Sequence, residues 1–111
     1  RDFIYIDDAV SGIMQLLNSR ENLPTAWSEF YLGSVHPVSI RQLVERIHQL
    51  IKSRSNLCFG KIPYRENEPM ESKTDISKLI EFGSDPRTSL DEGLIQTIVF
   101  EKTKLIAEAH E

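Results

Sequence analysis

The sequence predicts an α+β fold with about four helices and two or three short strands. Apolar residues recur at three- and four-residue intervals in several segments, which is typical of amphipathic helices. Three short runs are instead rich in aromatic and β-branched residues, which favours strands. The chain has 111 residues, a length that fits one domain with a modest core.

The first two predicted elements are a strand at residues 2–6 and a helix that follows it. Asp7 and Asp8 precede the apolar stripe of this helix, where acidic side chains cap a helix or complement its dipole. We favour that role over an acid–base pair, because adjacent residues at a helix start do not face each other. The stripe contains Ala9, Val10, Ile13, Met14, Leu16 and Leu17.

A loop and a second strand come next. Residues 18–25 form the predicted loop, with Asn22 and Pro24 as breakers. Residues 27–32 (WSEFYL) follow as a strand that ends at Gly33.

The second helix has the clearest start signal in the chain. Ser39 and Gln42 have the spacing of a capping box, in which each side chain bonds the backbone N–H of the other residue. The helix is predicted to run to about Lys52 or Ser53. Its apolar face contains Ile40, Leu43, Val44, Ile47, Leu50 and Ile51.

A third strand and a long loop occupy the middle of the chain. Residues 56–62 (NLCFGKI) read as the strand, and residues 63–74 show neither a helical nor a strand period. An aperiodic segment of that length inside a compact domain is usually functional or disordered.

Two helices complete the chain. Asp75 is positioned to cap a short helix at residues 76–82, which Gly83 ends as the residue after the cap. Ser89 and Glu92 form a second capping box. The last helix carries Leu90, Leu94, Ile95, Ile98, Val99, Leu105 and Ile106.

These helices present more apolar surface than two or three short strands can cover. We therefore expect part of that surface to be buried against polypeptide outside this chain or against a second copy of it.

Composition limits the classes of function. Thirteen basic and seventeen acidic side chains give a net charge of −4, which argues against a nucleic-acid partner. A single cysteine, Cys58, excludes an internal disulfide and fits a reducing compartment. No apolar run is long enough to cross a membrane, so the predicted location is the cytoplasm. Cys58 and the three scattered histidines predict no metal site.

Two arginines are candidates for binding a phosphorylated ligand. A guanidinium group can bond phosphate oxygens through two parallel N–H groups. Arg65 lies in the long loop and Arg1 precedes the first strand. On residue type alone, each is more often a solvated surface side chain than a ligand-binding one.

Five blocks occur in an order that resembles a known family. They are RDFIYIDDAVSGI, FYLGS, VSIRQLVERI, PYRENEPMESKTDISKL and SLDEGLIQTI. Their order and spacing resemble the C-terminal part of extended short-chain dehydrogenases/reductases, the NAD-dependent nucleotide-sugar epimerases and dehydratases. One departure is Gly83-Ser84, where many relatives have Gly-Trp. This difference affects a packing contact rather than the ligand site.

The resemblance implies a set of substrate-binding residues. Arg1 and Arg65 correspond to the arginines that contact the diphosphate of the nucleotide sugar. Glu68 corresponds to an acidic residue that bonds the ribose, and Ile40 lies in the segment near the base.

The resemblance also implies what the chain lacks. Tyr5, Tyr31 and Tyr64 are not followed by lysine four positions on, so no catalytic Tyr-x-x-x-Lys is present. The five glycines are isolated, so no GxGxxG loop exists and no cofactor is expected in this chain.

The prediction for residues 1–111 is therefore the substrate-binding segment of an isomerase or lyase whose N-terminal Rossmann domain is absent. The parent enzyme would use NAD on a nucleotide-diphosphate sugar, and the segment alone would not be catalytically competent. The alternative is a non-catalytic module derived from the family that dimerises or binds a partner.

Overall fold

The computed structural model describes residues 1–23, 26–71 and 74–110, and within them the secondary structure is helical. The predicted breaker Pro24 and Ser72–Lys73 of the long loop lie outside these residues. A single 3₁₀ turn spans Arg20–Asn22. The α-helices are α1 (Ile6–Asn18), α2 (Ile40–Leu50), α3 (Ser77–Glu81) and α4 (Leu90–Ala109).

The α+β prediction is wrong, because the described residues contain no strand. Tyr5 is extended, but residues 2–5 form no strand and Ile6 already begins α1. Residues 27–32 are not assigned to a strand, and residues 56–62 turn around Gly60, whose φ is +76°. Arg1 and Val38 do exchange two backbone hydrogen bonds, both of 2.8 Å. One such pair is not a ladder, and strand propensity without pairing does not make a sheet.

Both predicted capping boxes are confirmed. At α2, the Gln42 N–H donates to Ser39 Oγ at 3.0 Å and the Ser39 N–H donates to Gln42 Oε1 at 2.8 Å. At α4, the Glu92 N–H donates to Ser89 Oγ at 3.1 Å, and Glu92 Oε2 accepts from the Ser89 N–H at 3.4 Å. These bonds satisfy donors that the first helical turn leaves free.

The start of α1 differs from the prediction. Tyr5 is the N-cap residue and no side chain caps it, although Asp7 and Asp8 do lie in the first turn. Asp8 instead accepts two hydrogen bonds from Thr88, at 3.1 Å from its N–H and 2.8 Å from its hydroxyl. Asp8 therefore ties α1 to the residues just before α4.

The predicted end of α3 is confirmed. Gly83 has a φ of +90°, its N–H donates to the Ile80 carbonyl at 2.9 Å, and the Ser84 N–H donates to the Leu79 carbonyl at 3.3 Å. This is the Schellman pattern, which needs a left-handed residue at that position. The α3 helix begins at Ser77, and Asp75 accepts from the Ser77 N–H at 3.0 Å.

The small buried core lies between α1, α3 and the residues just before Gly33. Leu79 is fully buried and Ile76 is 4% exposed. Gly12 of α1 has no room for a side chain, because a Cβ there would lie 2.8 Å from Leu32 Cδ2. Close backbone approach at Gly12 thus brings α1 onto this core.

Much of the apolar surface of α1 and of the second half of α4 is exposed, whereas the apolar face of α2 is mostly half-buried. The radius of gyration is 17.6 Å, against about 13 Å for a compact chain of this length, and the thinnest dimension is 23 Å. No described helix combines the length and apolarity that crossing a bilayer requires. The exposed face of α1 consists of Ile6, Val10, Ile13, Met14 and Leu17.

Candidate functional site

The first part of the site is Arg1, which the backbone holds beside the start of α2. The two hydrogen bonds between Arg1 and Val38 fix the main chain at both residues. Val38 directly precedes Ser39, the N-cap of α2. Ile40, the first residue of α2, is 48% exposed and lies two residues along the chain from Val38.

The second part is a tight turn in the long loop, from Arg65 to Glu68. The Glu68 N–H donates to the Arg65 carbonyl at 3.2 Å, and Glu68 Oε2 accepts from the Arg65 N–H at 3.1 Å. Asn67 has a φ of +61°, a conformation that asparagine tolerates better than most residues. The Glu68 side chain is therefore held against the backbone at the start of the turn.

An ion pair brings the two parts together. An Arg1 guanidinium nitrogen donates to Glu68 Oε1, although the two residues are 67 positions apart. The Arg1 side chain is 43% exposed and that of Glu68 is 22% exposed. Because Glu68 also binds the Arg65 backbone, the structure joins Arg1, Arg65 and Glu68 in one place.

The Arg65 side chain differs from that of Arg1. Arg65 is exposed, and its guanidinium group makes no hydrogen bond or ion pair with the described part of the chain. A guanidinium in that state is free to bind an anion without first losing a protein partner.

Asp2 is a structural contributor that sequence reasoning missed. Its Oδ1 accepts from the Ser34 N–H at 2.9 Å and from the Ser34 hydroxyl. Burial raises the pKa of Asp2, but hydrogen bonding, mainly from Ser34 with smaller contributions from Thr74 and Val35, leaves the pKa below its ordinary value. The available signal was the position of Asp2 next to Arg1 in the first block.

A mainly apolar pocket adjoins the segment that contains Ser34, His36 and Val38. It has a volume of about 240 Å³ and lies between residues 3–5, α2 and α4, where its walls include Phe3, Leu43 and Leu94. Arg1, Arg65, Glu68 and Ile40 are not among its lining residues. Its apolar walls do not suit a diphosphate. Among the described residues, no group of three or more histidine, cysteine, aspartate and glutamate side chains could hold a metal ion.

Sequence comparison identifies relatives over nearly the whole chain. A UDP-glucuronic acid decarboxylase 1 from Danio rerio is 31% identical over 111 residues, which cover 99% of this chain and 25% of the relative. A CDP-abequose synthase from Salmonella muenchen is 30% identical over 94 residues, 85% of this chain and 31% of the relative. A UDP-glucuronate 4-epimerase 2 from Arabidopsis thaliana is 31% identical over 103 residues, 85% of this chain and 24% of the relative.

No protein-family model and no solved structure matches the chain. The chain spans about a quarter to a third of the length of these curated relatives, and the match falls in their C-terminal part. These relatives and the ordered sequence blocks agree. The chain therefore belongs to the extended short-chain dehydrogenases/reductases, in the group of nucleotide-sugar epimerases and dehydratases.

Proposed function

We propose that this chain holds the diphosphate and ribose of a nucleotide sugar, as the substrate-binding part of an NAD-dependent epimerase or dehydratase. One observation carries the proposal. Arg1 and the Arg65–Glu68 turn are far apart in sequence, and the fold places them in contact. Two arginines and one carboxylate at one exposed place suit a ligand with both a diphosphate and a diol.

Binding requires an exchange of partners at Arg1. In the ligand-free chain, Glu68 neutralises the Arg1 guanidinium. A diphosphate oxygen replaces Glu68 on Arg1, and a second oxygen binds the Arg65 guanidinium, which has no partner among the described residues to lose. Glu68 is then available to accept hydrogen bonds from the ribose hydroxyls. Ile40, half exposed at the start of α2, is the proposed apolar contact for the base.

The catalytic chemistry belongs to polypeptide outside residues 1–111 in this proposal. When bound to such an enzyme, NAD accepts and returns a hydride at the sugar. The residues of this chain do not fit that cofactor, because its glycines are isolated and no glycine-rich turn can cradle a dinucleotide. The role of this chain is to bind and orient the nucleotide end of the substrate.

An NMR titration of the ¹⁵N-labelled chain tests the binding role. We expect UDP-glucose, and more weakly inorganic pyrophosphate, to produce saturable shifts in residues 64–71 and 38–40. Arg65→Ala should abolish the shifts. Arg20→Ala is the matched control, because Arg20 follows the far end of α1 and, within the described ranges, its guanidinium binds the Leu17 carbonyl alone. A folded wild-type chain that shows no shifts with either ligand would overturn the binding role and leave the family assignment standing.

The second candidate is a non-catalytic module that dimerises or binds a partner through apolar surface. The observation that favours it is the exposed stripe of α1, together with Val99, Phe100, Leu105 and Ile106 on α4. Sedimentation equilibrium separates the two candidates. The second candidate is supported if the chain forms a concentration-dependent dimer that UDP-glucose does not affect. Its NMR signals should then also show no response to the nucleotide sugar.

A further inference from the structure

We propose that Asp2 is a positioning residue for the site formed by Arg1, Arg65 and Glu68. It fastens the chain at Arg1 to residues 33–34 and so fixes where Arg1 meets Glu68. This inference rests on the proposed function above, because it assigns to that site a residue which does not touch the ligand.

The first argument is the hydrogen-bonded chain that begins at Asp2. Asp2 Oδ1 accepts from the N–H and the hydroxyl of Ser34. The same Ser34 hydroxyl oxygen accepts from the His36 N–H at 3.2 Å. The roles of Asp2 Oδ1 and Ser34 Oγ are compatible, because the Ser34 hydroxyl donates to Asp2 Oδ1 while its oxygen accepts from the His36 N–H. Asp2 therefore organises the backbone from Ser34 to His36.

The second argument is the strain in that backbone. Val35 has a φ of +60°, a conformation that is rare for a β-branched residue and that needs support from its surroundings. The bonds at Ser34 and His36 flank Val35 and supply that support. Three residues later, Val38 exchanges two backbone bonds with Arg1. The conformation that Asp2 imposes at Ser34 thus carries to the partner of Arg1.

The third argument is the meeting of three segments at Gly33. A Cβ at Gly33 would overlap Asp2 Oδ2 and would lie 2.6 Å from Thr74 Cβ. Thr74 ends the loop that carries Arg65 and Glu68. That loop is therefore held against the first two residues at two points, at Glu68 by Arg1 and at Thr74 beside Asp2 and Gly33. Asp2 is next to Arg1 in the chain and lies beside Gly33 and Thr74, so its position affects both of these contacts.

Asp2→Ala is the test, and Asp75→Ala is its matched control. Asp75 also accepts a backbone hydrogen bond, from Ser77, but it binds neither Ser34 nor the first two residues. We expect Asp2→Ala to shift the amide signals of Val38, Arg65 and Glu68 in the ligand-free chain. We also expect it to lower the affinity for UDP-glucose about two- to thirtyfold, the range in which remote residues modulate a site. Asp75→Ala should do neither.

A conservative variant separates positioning from general stability. Asp2→Asn retains an amide oxygen that can accept both bonds from Ser34, so it should restore the amide signals and most of the affinity. If Asp2→Ala loses signal dispersion because it unfolds, Ser34→Ala takes its place, since it removes the hydroxyl bond and keeps the backbone one. Displaced signals at Glu68 in Ser34→Ala then support the proposal, and unmoved ones contradict it.

The ligand-free signals distinguish this proposal from the binding role. If Asp2→Ala leaves Val38, Arg65 and Glu68 unmoved in a folded chain, positioning by Asp2 is overturned whatever the ligand does. If those signals move but neither wild type nor variant responds to UDP-glucose, Asp2 positions Arg1 and Glu68 and the proposed binding role fails.

Discussion

Arg46 donates two parallel hydrogen bonds to Asp91, from Nε to Oδ1 and from an Nη atom to Oδ2, both at 2.7 Å. This pair joins α2 to the first turn of α4. The hydrogen bonds from Arg46 hold the pKa of Asp91 below its ordinary value, and the same bonds raise the pKa of Arg46. Two-point contact fixes an orientation that a single bond would leave free.

Breaking this pair should weaken the packing of α2 on α4. We expect Asp91→Asn and Arg46→Ala each to lower the melting temperature slightly at neutral pH, because both side chains are partly exposed to solvent. Since the pKa of Asp91 is lowered on folding, its contribution is complete above the ordinary value of 3.8 and is lost as the pH falls through the folded pKa. Melting curves across that range should therefore converge for wild type and Asp91→Asn. Glu45→Gln, in an exposed pair with Arg41 of 3.8 Å, is the control and should change little.

Neutralising Glu68 should strengthen binding of a bare anion. Glu68→Gln leaves Arg1 without its carboxylate partner but preserves an oxygen for the Arg65 N–H. We expect the affinity for inorganic pyrophosphate to rise by up to about fivefold, the factor that corresponds to an exposed ion pair. UDP-glucose should gain less, because its ribose loses a charged acceptor. Isothermal titration or NMR measures both, and Glu66→Gln on the same turn is the control. An equal gain from both variants would mean that only net charge matters.

The end of α2 offers a stabilising substitution. Lys52 follows the helix with a φ of +51°, and the N–H groups of Lys52 and Ser53 donate to the carbonyls of Gln49 and His48. A lysine is strained there, whereas glycine is not. Urea denaturation of Lys52→Gly should show a gain of about 0.5–1 kcal/mol. Lys52→Ala should show none, and a loss in Lys52→Gly would contradict the left-handed conformation.

Gly33 and Gly60 form a matched pair for testing close packing. A Cβ at Gly33 meets Asp2 and Thr74, while nothing lies within 4 Å of a Cβ at Gly60. Gly33→Ala should cost about 1–3 kcal/mol from overpacking and displace the amide signals of Val38 and Glu68. Gly60→Ala should cost only the left-handed penalty of about 1 kcal/mol, with no effect at those amides. If Gly33→Ala and Gly60→Ala affected these amide signals equally, the close contact of Gly33 with Asp2 and Thr74 would be contradicted.

The features predicted correctly from sequence are local ones. Two capping boxes and the Gly83 end of α3 depend on residues within six positions of each other, so sequence spacing reveals them. The three predicted strands failed because pairing requires a distant partner, which propensity does not supply. Within the described residues, Val38 pairs only with Arg1, which precedes the first predicted strand, and residues 27–32 and 56–62 form no ladder either.

The site was predictable only in part. Family resemblance singled out Arg1, Arg65, Glu68 and Ile40, and the fold brings the first three together; their ligand contacts remain proposals. Asp2 was missed because its partner Ser34 is 32 positions away, so spacing carried no sign of the contact. The strained Val35 was equally invisible, because tertiary contacts rather than its own preference set its backbone.

Because α4 is long, the helical hydrogen bonds of its second half should open more often than those of its first half. Its first turns are held by the capping box, by Arg46 and by the buried Gly93, whereas every described residue after Ile98 is exposed. In that second half, only the helix's own hydrogen bonds oppose opening, so its peptide groups exchange with solvent by local fraying, without unfolding of the rest. A protease would meet an accessible, transiently extended segment there, while the Arg1–Glu68 contact, which involves no residue of α4, stayed intact.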